Sequence, residues 1–349
     1  MKMIATTWRA GFALALILSA TSAQAITKVT VGGTGTGHYA TVQAGVNALP
    51  STGGEVDITP GTYTEQVTIT KPNVRLVGQG SSASTTVITD ALWAQKSNGS
   101  GGTVGDKGSA TVIVTGAAFF ANNLTIQNTY TQSGNTQTQA LALYLASDKS
   151  VLRNVHLIGR QDTLYAGSIG CSSSTCTPAR EYFYGVTIEG DVDFIFGDGA
   201  AVFDNCQIQI DENGKLSGET TITAQNKRFS NYLSGYVFYN SKIVSNPATG
   251  MTNTYLGRPW GALSTNIFIN TNMQAPIMAA GWIEFTPGTT NNLPTSYYAE
   301  YGSTGTGAAG YTAKTREKYA VYLTASQTTQ YQPDNFLAGS DGWVPTSVF

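Results

Sequence analysis

The chain has 349 residues, 41% hydrophobic and only 11% charged, against a norm of about 25% charged. That much apolar material can build a sizeable core without metals or staples, while the abundance of Gly, Thr, Ser, Asn and Tyr suits short strands and turns; disorder, coiled coils and helical bundles are excluded. Lysine plus arginine number 19 and aspartate plus glutamate 21, a balance that excludes a nucleic-acid partner.

Residues 1–25 read as an export signal, because Lys2 and Arg9 precede the apolar run Phe12–Leu18 and Ala23-Gln-Ala25 offers a small-residue cleavage site. Residues 26–349 then form one domain with 17 basic and 21 acidic residues. No later apolar run approaches the roughly 18 residues of a membrane span, so the mature protein is expected to be secreted, extracellular and free of membrane contact. Gly32-Gly-Thr-Gly-Thr-Gly37 lacks the spacing of a dinucleotide loop, and no long helix comes after it. Residues 40–49 have helical spacing, with Val42, Val46 and Leu49 on one face, and predict a short N-terminal helix capping the end of the core.

Beyond this helix the chain carries a repeat. Asn or Gly, any residue, a polar residue and then Ile, Leu or Met recurs at Asn123, Asn154, Gly185, Asn205, Asn240 and Asn270, at intervals of 31, 31, 20, 35 and 30. Each copy lies in a strand-like alternation, and such a period marks stacked units that bury their apolar faces only against one another. No helical stretch of ten or more residues separates the strands, so the fold class is all-β, a parallel β-helix. A large antiparallel sandwich is the alternative, although its strands would not share one motif per coil. Gly- and Ser-rich stretches at 97–109, 168–177 and 302–310 read as loops between coils.

Three cysteines in an exported chain suggest one disulfide and one leftover. Cys171 and Cys176 flank a short polar loop and are expected to pair, whereas Cys206 sits in an apolar alternation and is expected to be a buried, inert thiol. Asn98 and Asn123 open Asn-x-Ser/Thr glycosylation sequences. His38 and His156 are 118 residues apart with no ligand cluster near either, so neither a metal site nor a serine triad is supported. Carboxylates are the candidates for chemistry.

Asp162 and Asp193 each sit among apolar or aromatic neighbours, and their separation of 31 is the repeat interval. Neighbouring coils would stack them about 4.8 Å apart on one surface. Two carboxyls that close divide into a proton-carrying acid and an ionised nucleophile, a workable hydrolytic pair. Gln139 and Gln161 could donate to an oxyanion, Arg258 could hold one carboxylate ionised, and Trp260 offers a face on which a sugar ring stacks. Individually, Asp can cap a turn, Gln can ladder and Trp can simply pack; the joint pattern is what points to chemistry.

Gln139-Ala-Leu-Ala-Leu143, Gln161-Asp-Thr-Leu-Tyr165, Asp191-Val-Asp-Phe-Ile-Phe-Gly197 and Leu256-Gly-Arg-Pro-Trp260 resemble, in order, the four signature segments of the pectin methylesterases, carbohydrate esterase family 8. Tyr39-Ala-Thr-Val-Gln43 and Pro60-Gly-Thr-Tyr63 resemble the family's opening coils, and Ala280-Gly-Trp282 and Asn335–Gly339 its closing region. The resemblance implies a right-handed parallel β-helix and a carboxylic ester hydrolase that needs no cofactor. It would free galacturonate carboxylates in the homogalacturonan of pectin and release methanol, acting as a monomer. It further implies that Asp193 is the nucleophile, Asp162 the acid and then base, Gln139 and Gln161 the oxyanion donors, and Arg258 the partner of Asp193. Trp260, Tyr165 and Phe196 would line the polymer groove. The chain departs from the family in the cysteine-bearing insertion at 167–179 and in Asp198, where Asn is more usual. A non-catalytic glycan-binding solenoid, or a family esterase acting on a small acyl ester, is the alternative.

Overall fold

The computed structural model describes residues 26–130, 138–177, 179–211, 220–246, 253–286 and 288–348; the expected signal segment 1–25 lies outside the described residues. Every pairing between its strands is parallel, in an 18-stranded sheet and a 7-stranded sheet. The larger sheet covers two faces of a parallel β-helix. The nine-residue strands Phe120–Asn128 and Ser150–Ile158 turn the corner between those faces, pairing first with Val74–Gly78 or Arg180–Tyr184 and then with Thr86–Asp90 or Thr187–Gly190. The smaller sheet forms the third face.

The repeat is the corner itself. Asn123, Asn154, Asn205, Asn240 and Asn270 have φ between 46° and 56°, and Gly185 has φ 62°. All are left-handed, a conformation that Gly adopts freely and Asn more readily than other side chains. Asn154 Nδ2 donates to Asn123 Oδ1 at 2.8 Å and Asn270 Nδ2 to Asn240 Oδ1 at 3.2 Å, so neighbouring corners are tied together. Asn123 Nδ2 also donates to the Gly78 and Gly80 carbonyls. That nitrogen is spent inside the fold, whereas the other glycosylation candidate, Asn98, is exposed.

Three residues past each corner the apolar member points inward: Ile126, Leu157, Ile188, Ile208, Ile243 and Met273 are fully buried. On the adjoining face Phe183, Phe203, Phe238 and Phe268 stack in register with centroids 4.6–4.7 Å apart. A stack at the strand spacing buries each ring against the next, which is how a coil unable to form a core alone obtains one.

The helix Val42–Ala48 closes the first coil as expected. Thr41 Oγ1 accepts from the Ala44 amide, and Glu65 accepts from the amides of Val42 and Gln43, satisfying donors that a helix start leaves open. Val42, Val46 and Leu49 are buried. The stretch 97–109 is not wholly loop, since Gly105–Ser109 forms a short helix, and 302–310 likewise ends in helical turns. Cys171 and Cys176 are disulfide-bonded, Cys206 is buried and free, and His156 is a strand residue beside Glu189. Among the described residues no helix is long and apolar enough to cross a membrane.

Candidate active site

The smaller sheet carries the predicted residues on its outer surface. Tyr144, Tyr165 and Phe196 lie in register on successive strands. Tyr144 stacks on Tyr165 at 4.3 Å, and Phe196 meets Tyr165 edge-on at 5.2 Å. Trp260 lies 6.2 Å from Phe196, and Phe285 6.4 Å from Trp260. The result is an aromatic floor running across the coils. Tyr144 was legible in principle, since Leu143-Tyr-Leu145 repeats the alternation of Leu164-Tyr-Ala166; Phe285 carried no signal.

Leu164 pairs with Ile195 and Tyr165 with Phe196, so Asp162 and Asp193 occupy equivalent positions on adjacent coils. Both have left-handed backbone, φ 63° and 48°, and Gln161 has φ 24°. Such conformations cost non-glycine residues on the order of 1–3 kcal/mol and persist only where the surroundings hold them. Asp191 supplies much of that hold: its Oδ1 accepts from the amides of Gln161 at 3.0 Å and Val192 at 2.7 Å. The Asp162 amide donates to the Val192 carbonyl, and the Asp193 amide to Thr221 Oγ1 at 3.1 Å. Pairing with the next strand slips between Val192 and Ile195, a bulge of the kind that re-aims a side chain.

The two carboxyls have different environments. Asp193 accepts from Arg258 Nε at 2.9 Å on Oδ1 and from Nη2 at 2.6 Å on Oδ2, a two-pronged ion pair, while Thr221 Oγ1 donates to Oδ1 at 2.6 Å. Asp162 is 7% exposed and its Oδ1 has no hydrogen-bond partner among the described residues. Burial, followed by the negative charges of Asp193, Asp106 and Asp191, holds the Asp162 carboxyl well above the ordinary carboxylate range, with Arg258 acting in the opposite direction. A buried carboxyl shifted towards its protonated form therefore faces one clamped by a guanidinium.

These groups converge on a cavity of about 190 Å³ whose lining includes Gln139, Gln161, Asp162, Asp193, Arg258, Trp260 and Phe196. Tyr165 lies behind Phe196 in the aromatic row. Neither glutamine side-chain amide has a partner among the described residues, so both are available to a ligand oxygen. Larger clefts of about 430 Å³ beside Ile26 and about 370 Å³ beside Tyr255 lack this convergence of acid, clamped carboxylate and amides. The sequence did not single out Asp106 or Phe285, which also line the cavity, or Thr221, which holds Asp193. Among the described residues no group of three or more His, Cys, Asp or Glu could hold a metal ion. The arrangement brings together a clamped carboxylate, a buried carboxyl and two side-chain amides, groups of the kinds an acyl transfer can use.

Residues 28–340 match the family model for Pectinesterase. A probable pectinesterase/pectinesterase inhibitor of Arabidopsis thaliana is 35% identical over 90% of this chain, which spans only 57% of that relative's length. The solved pectin methylesterase from carrot superposes with a TM-score of 0.77 at 29% identity, covering 94% of this chain and 98% of that one. A pectin methylesterase solved in complex with a hexasaccharide gives 0.74 at 26% identity, covering 92% and 99%.

Proposed function

The chain belongs to the pectinesterase family, and on that basis we propose that it is a secreted enzyme that hydrolyses the methyl esters of galacturonate units in homogalacturonan to carboxylate and methanol. The observation that carries the reading is the split pair, Asp193 clamped by Arg258 beside a buried Asp162 whose carboxyl is held above the ordinary range.

In the proposed reaction an Asp193 oxygen attacks the ester carbonyl. The carbonyl π electrons move onto oxygen, where the Gln139 and Gln161 amides receive the charge. Collapse of the adduct breaks the bond to methoxide, Asp162 gives that oxygen its proton, and methanol leaves an anhydride between Asp193 and the sugar carboxyl. Asp162, now ionised, takes a proton from water as the water attacks the anhydride; the product carboxylate departs, and Asp193 and the protonated Asp162 are restored. Arg258 aims Asp193, and Thr221 fixes the attacking group from the other side. The aromatic row of Tyr165, Phe196 and Trp260 offers faces for successive sugar rings, in keeping with the hexasaccharide bound by a structural relative. The export signal read at residues 1–25 and the Cys171–Cys176 disulfide support action outside the cell.

The test is incubation with highly methylated pectin, with methanol and chain length measured together for the wild type and Asp193→Ala. Methanol release at constant chain length, abolished in the variant, is expected. Shortened chains without methanol would replace the proposal with a depolymerase, and binding without either product would replace it with a glycan-binding module.

A further inference from the structure

The catalytic cavity holds a third carboxylate that the chemistry above does not use. Asp106 lines it from the short helix Gly105–Ser109. That helix is pinned: Gln66 Nε2 donates to the carbonyls of Gly108 and Ala110, Asn128 Nδ2 donates to that of Ser109, and Ser109 Oγ donates to that of Asp106. The Asp106 side chain is half-buried and has no hydrogen-bond or ion-pair partner among the described residues. Its charge is not cancelled locally, because Arg258, the cation lining the same cavity, is committed to Asp193 through Nε and Nη2 and to the Phe285 carbonyl through Nη1.

The surroundings extend the asymmetry. Tyr144, one coil before Tyr165 in the aromatic row, lies in the field of both Asp106 and Asp198. Asp198 is held as an acceptor by the amide and hydroxyl of Ser168, both at 2.8 Å. The exposed Lys107 lies over the outer face of Tyr144, 5.6 Å from its centroid, and is the cation near this arm. At the other arm the Arg228 guanidinium lies 5.8 Å over Trp260. The groove is thus acidic towards Tyr144 and basic towards Trp260.

We propose that Asp106 is a specificity-determining residue that works as a charge filter, admitting methyl-esterified, and therefore neutral, galacturonate units on the Tyr144 side of the reacting ester and rejecting units whose carboxylate is already free. The inference rests on the esterase reading and adds which neighbours the reacting unit can have. A free carboxylate carried next to Asp106 meets a like charge that has no ion-pair partner among the described residues, in a partly desolvated site, whereas an ester brings no charge to repel. Rejection of that kind is electrostatic, so it weakens as salt screens it.

The test compares kcat/KM for methanol release from a fully methyl-esterified galacturonate oligomer and from the same oligomer about half de-esterified, for wild type, Asp106→Asn and Asp106→Glu. Rate constants are expressed per ester. The wild type should favour the full ester, and Asp106→Asn should raise the relative rate on the half-esterified oligomer on the order of tenfold. Asp106→Glu, which keeps the charge, should retain the preference. Raising the salt concentration should shrink the wild-type preference, a readout that needs no variant to fold. An unchanged ratio in Asp106→Asn, an equal change on both substrates, or a preference insensitive to salt overturns the filter. Absence of methanol from both oligomers with the wild type overturns the esterase reading itself, and the filter with it.

Discussion

Replacing Arg258 tests the central arrangement most directly. Its side chain is 21% exposed and that of Asp193 9%, so the pair is largely out of water and behaves as a buried ion pair. Arg258→Ala removes the charge-assisted bonds that Nε and Nη2 make to Asp193 and leaves its carboxyl with the Thr221 hydroxyl. Breaking a buried pair on one side costs about 3–5 kcal/mol. A ceiling comes from protonation: a carboxyl with the reference pKa of about 3.9 can be neutralised for about 4 kcal/mol at pH 7 but for only about 1.5 kcal/mol at pH 5. The stranded carboxyl thus prefers its proton more in the folded state than in the unfolded state, so the deficit should be small in acid and grow as pH rises. Urea unfolding of wild type and variant at pH 5 and pH 7 measures it, with methanol release recorded in parallel. The expected result is a loss of about 3–4 kcal/mol at pH 7 and about half that or less at pH 5, with turnover down at least a hundredfold. Arg258→Lys should fall between, because an ammonium supplies charge without the two-pronged fork. A pH-independent deficit under about 1 kcal/mol, or a lysine variant as active as the wild type, would refute the view that the fork holds Asp193.

Thr221→Val removes the hydroxyl that both donates to the Asp193 carboxylate and accepts from the Asp193 amide, and should lower kcat/KM about 10- to 100-fold, the worth of one bond to a charged group; steady-state kinetics on methylated pectin check it. Because Asp162 is held above the ordinary range and is the acid of the proposed reaction, wild-type activity should fall on the alkaline side as pH rises through its pKa. Asp106→Asn, which removes one of the charges raising it, should move that limb to lower pH; superimposable pH–rate profiles would contradict this. At the exposed corner Asn205, with φ 55°, Asn205→Ala should lower stability by about 1–2 kcal/mol while Asn205→Gly is tolerated, as thermal melting of the two variants would show.

The coil was legible in the residues alone. The spacing of Asn and Gly at 123, 154, 185, 205, 240 and 270 reflects a local demand, a left-handed corner once per turn, and the inward Ile, Leu or Met three residues on reflects another. Local demands of this kind are met by residue type and leave a trace in the chain. The 31-residue interval between Asp162 and Asp193 placed them on adjacent coils for the same reason, while Gln139, Gln161, Arg258 and Trp260 were picked out by residue type beside that pair and given their roles by the family resemblance. The division of labour between the two aspartates arises from packing. The Asp162 carboxyl is held above the ordinary range because it is buried among negative neighbours, one oxygen having no partner among the described residues, and Asp193 is clamped because a guanidinium 65 residues away reaches it. Asp106, Thr221 and Phe285 left no trace: Asp106 and Phe285 lie outside the coil repeat, and Thr221, although on a strand of the smaller sheet, is one of several threonines there with nothing in the sequence to mark it as the partner of Asp193. Burial and charge are properties of the packed solenoid, set by residues from many coils at once; a linear pattern fixes which side chains can meet, and only packing fixes the field in which they do so.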